Sequence, residues 1–88
     1  APGADAKQFR DGKSGETLAL GKNECDEPAV YYRGKKAWKR MVVKASTPTR
    51  ITAGFAGSAD EYVLEPSDAK IVCTNPDKTV QTFDELQP

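Results

Sequence analysis

The chain has 88 residues, enough for one small domain that buries a modest share of its surface. Its 13 Lys and Arg balance its 13 Asp and Glu, so no net charge calls for nucleic acid or an anionic membrane. Histidine, the commonest general base and metal ligand, is absent.

Residues 1–24 carry Gly, Lys, Asp and Ala with only Phe9, Leu18 and Leu20 to bury, and they are expected to form a mobile arm. Beyond them, short β-type runs alternate with turn residues every eight to twelve positions, the spacing of a small all-β sandwich or barrel. Pro28 to Gly34 reads as a first strand. Ala37 to Ala45 reads as a second, with Met41 and Val43 facing the core and Trp38, Arg40, Val42 and Lys44 on the other face. Pro48 breaks that strand. The third strand places Ile51, Ala53 and Phe55 on one face, and the fourth pairs Tyr62 with Leu64. Ile71 and Cys73 share a face of the fifth, and Asn75-Pro76-Asp77-Lys78 is a strong turn before a sixth strand ending at Phe83. Residues 85–88 are expected to leave as a tail. No window keeps an apolar i, i+3, i+4, i+7 pattern, so no substantial helix is expected.

Cys25 and Cys73 are the only cysteines, and no Cys-x-x-Cys spacing offers a metal site. They read as a disulfide, worth roughly 4 kcal/mol through the freedom removed from the unfolded chain. The alternative is two free thiols in a reducing compartment. A disulfide implies secretion, as does an opening Ala1-Pro2-Gly3 without an initiator methionine, although a shortened chain would begin the same way. No apolar run nears the roughly 20 residues of a membrane-spanning helix, so no membrane role is expected.

Chemistry is sparse. Asp11-Gly12-Lys13-Ser14-Gly15 holds the Gly-Lys-Ser end of a phosphate-binding loop, but Lys7 stands where the leading glycine belongs, so the segment reads as a linker. The carboxylate pairs Asp26–Glu27, Asp60–Glu61 and Asp84–Glu85 sit at turns or strand ends, where solvated acids are ordinary. No enzyme activity, cofactor or metal is expected.

Charge, though balanced, is unevenly placed. Arg33, Lys35, Lys36, Lys39, Arg40 and Lys44 form a cationic stretch free of acids, whereas the chain after Ser58 is dominated by Asp and Glu. With Tyr31, Tyr32 and Trp38 interleaved, that stretch admits three readings. It could be a β platform for single-stranded nucleic acid, an ordinary solvated face with lysines guarding an edge, or an edge that accepts a partner's strand.

The order of Cys25, Tyr31-Tyr32-Arg33-Gly34, the basic strand Trp38 to Lys44, and Lys70-Ile71-Val72-Cys73-Thr74-Asn75 resembles the MAX effectors, the fungal Magnaporthe avirulence and ToxB-like proteins. The resemblance covers about Cys25 to Phe83. It implies a six-stranded sandwich of two three-stranded antiparallel sheets over residues 25–84, with a disulfide from the first strand's start to the fifth. It also implies a secreted fungal virulence protein, monomeric and non-enzymatic, that acts in the plant cell by binding host proteins. Some members bind heavy-metal-associated (HMA) domains through the edge of the second strand. Mapped here, the partner-binding residues are Lys36, Trp38, Lys39, Arg40, Val42 and Lys44. The alternatives are a nucleic-acid-binding β platform and an extracellular inhibitor of a secreted enzyme.

Overall fold

Period-two alternation runs through almost the whole chain. The computed structural model, which describes residues 1–87, turns it into nine antiparallel strands with no helix among those residues. The strands are β1 (Lys7–Arg10), β2 (Thr17–Lys22), β3 (Pro28–Arg33), β4 (Lys39–Arg40), β5 (Val42–Thr47), β6 (Arg50–Gly54), β7 (Tyr62–Pro66), β8 (Lys70–Thr74) and β9 (Val80–Glu85). They form one sheet, ordered β4-β3-β2-β1-β9-β8-β7-β6-β5.

The sheet's two ends, β4 and β5, are separated in sequence only by Met41, so they are halves of one kinked strand. Counted that way, eight strands follow one another up and down, and the sheet curls into a near-closed barrel. First and last strands meet where Phe9 pairs with Glu85 and Arg10 with Asp84.

Inward positions fill the barrel. Phe9, Leu18, Val30, Met41, Ile51, Ala53, Leu64, Ile71, Cys73 and Phe83 are all buried and pack as one cluster. An eight-stranded barrel has an interior just wide enough for such side chains.

Three of the connections use an Asx residue at their first position. Asp11 takes the Lys13 N–H at 2.9 Å, Asn23 takes the N–H groups of Cys25 and Glu27 at 2.9 and 3.0 Å, and Asn75 bonds Thr79 and Gln81 through its amide. At Asp11 and Asn23 the side chain, by accepting backbone N–H groups, mimics a backbone turn, whereas Asn75 ties its turn to the side chains of Thr79 and Gln81. Each turn then needs a left-handed residue, supplied by Gly15 (φ 77°), Asp26 (φ 62°) and Lys78 (φ 71°).

The structure departs from the sequence expectations in four respects. All nine strands belong to one sheet, so the two three-stranded sheets are not found. Residues 1–24 are no arm, because β1 and β2 lie in them and Phe9, only 2% exposed, belongs to the core. Few apolar residues suffice there, since a half-buried strand needs only every second one. The expected tail begins inside β9, where Glu85 donates its N–H to the Ala69 carbonyl and Leu86 donates to Gln8; Pro88 lies outside the described residues.

Finally, Cys25 and Cys73 are both free thiols. Cys25 is exposed on the β2–β3 turn, while Cys73 faces the core near the end of β8. Because neighbouring strands run in opposite directions, the β2–β3 turn and the end of β8 lie at opposite ends of the barrel. A disulfide needs Cα atoms within about 7 Å.

Candidate functional site

Two places in the barrel depart from plain packing. One is the seam between β3 and the kinked β4–β5 strand. The other is the mouth at the end where β3, β6 and β8 finish.

At the seam, Tyr32 pairs with Lys39, Tyr31 with Arg40, and the Met41 N–H donates to the Val30 carbonyl at 2.8 Å. Strand pairing then stops. The next residues of β3 are Ala29 and Pro28, and a proline offers no N–H to a ladder. On the other strand, a bulge at Lys44 shifts the register between Val43 and Ala45. Carried onward, the Tyr31↔Arg40 register would set residues 44–47 against residues 27–24, which form the β2–β3 turn and not a strand. Residues 45–47 therefore pair with β6 on one side only, and they and the bulged Lys44 are all exposed. A cleft of about 370 Å³ opens at the split, lined by Asn23, Glu27, Pro28, Arg40, Val42 and Val43.

The six residues expected to bind a partner divide between three locations. Lys36 lies exposed in the β3–β4 connection, and Trp38 is half-buried with the Arg33 guanidinium 4.6 Å from its ring centre. Arg40 and Val42 continue the same alternation onto the outer face, where Val42 is 48% exposed. Lys39 is diverted: it pairs with the inward-facing Tyr32 and lines the mouth. Lys44 is also diverted, crossing Gly54 to reach Glu61 at 3.6 Å. Gly54 is required at that crossing, because a Cβ there would stand 2.6 Å from the Asp60 carbonyl oxygen. The structure thus places Trp38, Arg40 and Val42 on one outer face, leaves Lys36 in the exposed connection before them, and separates Lys39 and Lys44 from that face.

The mouth escaped the sequence reading. It is a cavity of about 160 Å³ with an apolar floor that includes Leu18, Met41, Leu64 and Phe83. Its rim is polar. Glu16 accepts from the Tyr32 hydroxyl at 2.5 Å and from Gln81 Nε2 at 2.8 Å. Gln81 also donates to Asp11 at 2.9 Å and accepts from Asn75, whose Oδ1 takes the Cys73 thiol at 3.6 Å. Phe55 stands between two tyrosines, its centroid 5.6 Å from both Tyr32 and Tyr62, with ring planes at 74° and 79°.

These contacts set the local titrations. The Tyr32 hydroxyl bond holds Glu16 below the usual carboxylate range, and the same bond, with burial, pushes Tyr32 up to about 12. Gln81 and the Lys13 N–H lower Asp11, which is 7% exposed. Burial first, then Glu16, pushes the Cys73 thiol up to about 11, so it stays protonated and a poor nucleophile. Tyr62 is raised by burial and then by Asp60, with Glu16 and Asp77 contributing.

Among the described residues, no three Cys, Asp or Glu side chains are placed to hold a metal ion, and no helix is long and apolar enough to cross a membrane. No family model matches the chain, and neither a curated protein nor a solved structure is found to be similar to it.

Proposed function

We propose that this protein is a non-catalytic recognition module that binds an extended segment of another protein along the open side of β5. The observation that carries the reading is the one-sided pairing of residues 45–47 beside the exposed Val42. An unpaired strand edge supplies main-chain bonds for affinity, and alternating side chains supply choice. Trp38 and Arg40 extend the same face, Arg40 adding positive charge and Lys36 more in the exposed connection before them, so the favoured partner segment is extended and acidic. The bulge at Lys44 shortens the exposed ladder, which limits edge-to-edge aggregation without covering the edge.

Only the protein-binding part of the effector expectation is carried forward here. The two-sheet sandwich that the resemblance implied, and the disulfide from which secretion was inferred, are not features of this barrel.

The test is a selection of displayed ten-residue peptides against the intact protein, followed by amide chemical-shift mapping of those selected. Selected peptides should be acidic, should perturb Val42 to Thr47, and should lose about tenfold in affinity with Arg40→Glu, a charge-reversal effect of the size seen for partly exposed pairs. Selected peptides that map to the opposite wall, or an Arg40→Glu variant that binds equally well, would refute the reading. A single-stranded oligonucleotide that binds with a steep salt dependence would favour the nucleic-acid alternative instead.

A further inference from the structure

The mouth is a second site, independent of the seam. Its walls are aromatic on one side: Tyr32 on β3, Phe55 just beyond β6, and Tyr62 opening β7 all line the cavity, with Phe55 nearly perpendicular to both tyrosines. Glu16 lines the same cavity, and both of its oxygens are held in place by internal donors, Tyr32 on one and Gln81 on the other. A carboxylate so fixed needs no reorganisation to face a cation.

Size narrows the occupant. About 160 Å³ is well below the 300 Å³ or more of a cofactor or drug-sized pocket, and matches one side-chain-sized group. Aromatic rings meeting near right angles beside a fixed carboxylate are suited to a positive charge on an alkyl stem, which gains cation–π attraction without forming hydrogen bonds that the rings cannot offer. The floor of Leu18, Met41, Leu64 and Phe83 takes the apolar part.

We propose that the barrel mouth binds a small alkylammonium ion, its alkyl part on the apolar floor and its charge at the Glu16 rim. The field around Tyr62 is consistent with this, because Asp60, Glu16 and Asp77 all act on its phenol as negative charges. Lys39 provides the sign of the test. Its side chain lines the same cavity and makes no ion pair among the described residues, so its own ammonium opposes an incoming cation.

The experiment titrates the intact protein with tetramethylammonium, with choline and its neutral isostere 3,3-dimethylbutanol, and with short peptides carrying lysine or trimethyl-lysine, following the ring signals of Tyr32, Phe55 and Tyr62. The cations should shift those signals and bind at least about fivefold more tightly than the neutral compound, as expected of a partly desolvated cation–π site. Lys39→Gln should tighten the cation and Glu16→Gln should weaken it, with amide dispersion confirming that both variants fold. Peptides bound more strongly than tetramethylammonium would also overturn the proposal, because a lysine entering tip first carries its charge to the apolar floor. Equal binding of the neutral compound, weaker binding in Lys39→Gln, or unmoved ring signals at tens of millimolar cation would each overturn the proposal.

Discussion

The barrel has two joints, and they are built differently. Where β1 meets β9, the first and last strands pair, Leu86 adds a further bond to Gln8, and Phe9 closes the interior from within. Where β3 meets the kinked β4–β5 strand, pairing lasts through Met41 and then fails at Pro28 and the Lys44 bulge. The first joint is closed by an inward aromatic and main-chain bonds together. The second retains the inward residue, Met41, but gives up the ladder beyond it. Stability is therefore expected to reside in what faces inward at both joints, while the outer face of the seam is free to serve recognition.

The largest effect should come from Phe9. Phe9→Ala removes the only large apolar side chain of β1 and should cost about 3–5 kcal/mol in urea or guanidinium unfolding, a large part of what so small a domain holds. Met41→Ala, at the other joint, should cost about 2–5 kcal/mol. Val42→Ser, one residue on but outside, should stay within about 0.5 kcal/mol. If Val42→Ser proved as costly as Met41→Ala, the seam would be closed in solution and its outer face would not be available to a partner.

The all-β class was legible because turn residues recur at hairpin spacing between alternating runs, and the inward faces of Ile51, Ala53, Tyr62, Leu64, Ile71 and Cys73 follow from that alternation. The first two strands were not, although Asp11-Gly12 and Ser14-Gly15 are turn dipeptides standing between Phe9 and the alternating Leu18 and Leu20. The Gly, Lys and Asp that surround these strands mask that alternation. Moreover, β1 is held by β9, some seventy residues away, and nothing local announces such a pairing. Without β1 and β2, the six remaining runs fit a sandwich or a barrel equally well, and the two-sheet arrangement came from the resemblance alone. The kink at Met41 depends on the barrel's curvature and has no local signal. Glu16, Tyr32, Tyr62 and Gln81 meet at the mouth because each lies on an inward register position, which is apparent only once the strands are paired.

The mouth gives an intermediate effect that depends on pH. Asp11 and Glu16 are both lowered from their ordinary values of 3.8 and 4.5, chiefly by Gln81 and by Tyr32 respectively. A depressed folded value means that the folded state binds the proton less readily than the unfolded chain does. The stabilisation is thus fully present above about pH 5 and is lost as pH falls through the folded values. Tyr32 is raised to about 12, so its contribution is present at neutral pH and is lost as pH climbs from the ordinary value of 10.0 through about 12. Tyr32→Phe removes the hydroxyl donor and should cost about 1–3 kcal/mol at neutral pH, while flattening both the acid and the alkaline limbs of the profile. Thermal melts from pH 3 to 11 on the two proteins check this, and parallel profiles would mean that the Tyr32–Glu16 bond does not form.

The smallest effect on stability, and the sharpest on geometry, belongs to the two thiols. Cys25 lies on the exposed turn that faces the open side of β5, whereas Cys73 is buried and raised to about 11. Burial keeps the Cys73 thiol protonated at pH 8, and the barrel wall shields it from reagents as well. A maleimide should therefore label Cys25 at once, and should reach Cys73 only at the rate at which β8 and its neighbours open. Labelling Cys25, like Cys25→Ser, should leave the unfolding free energy unchanged within about 0.5 kcal/mol. A bulky label there should nevertheless hinder any strand that docks along residues 44–47, since the turn stands beside that edge. If neither thiol reacts in the native protein and reduction raises the intact mass by two hydrogens, the cysteines are joined. The β2–β3 turn must then lie against β8, an arrangement that neither the open seam nor the cavity at the mouth permits.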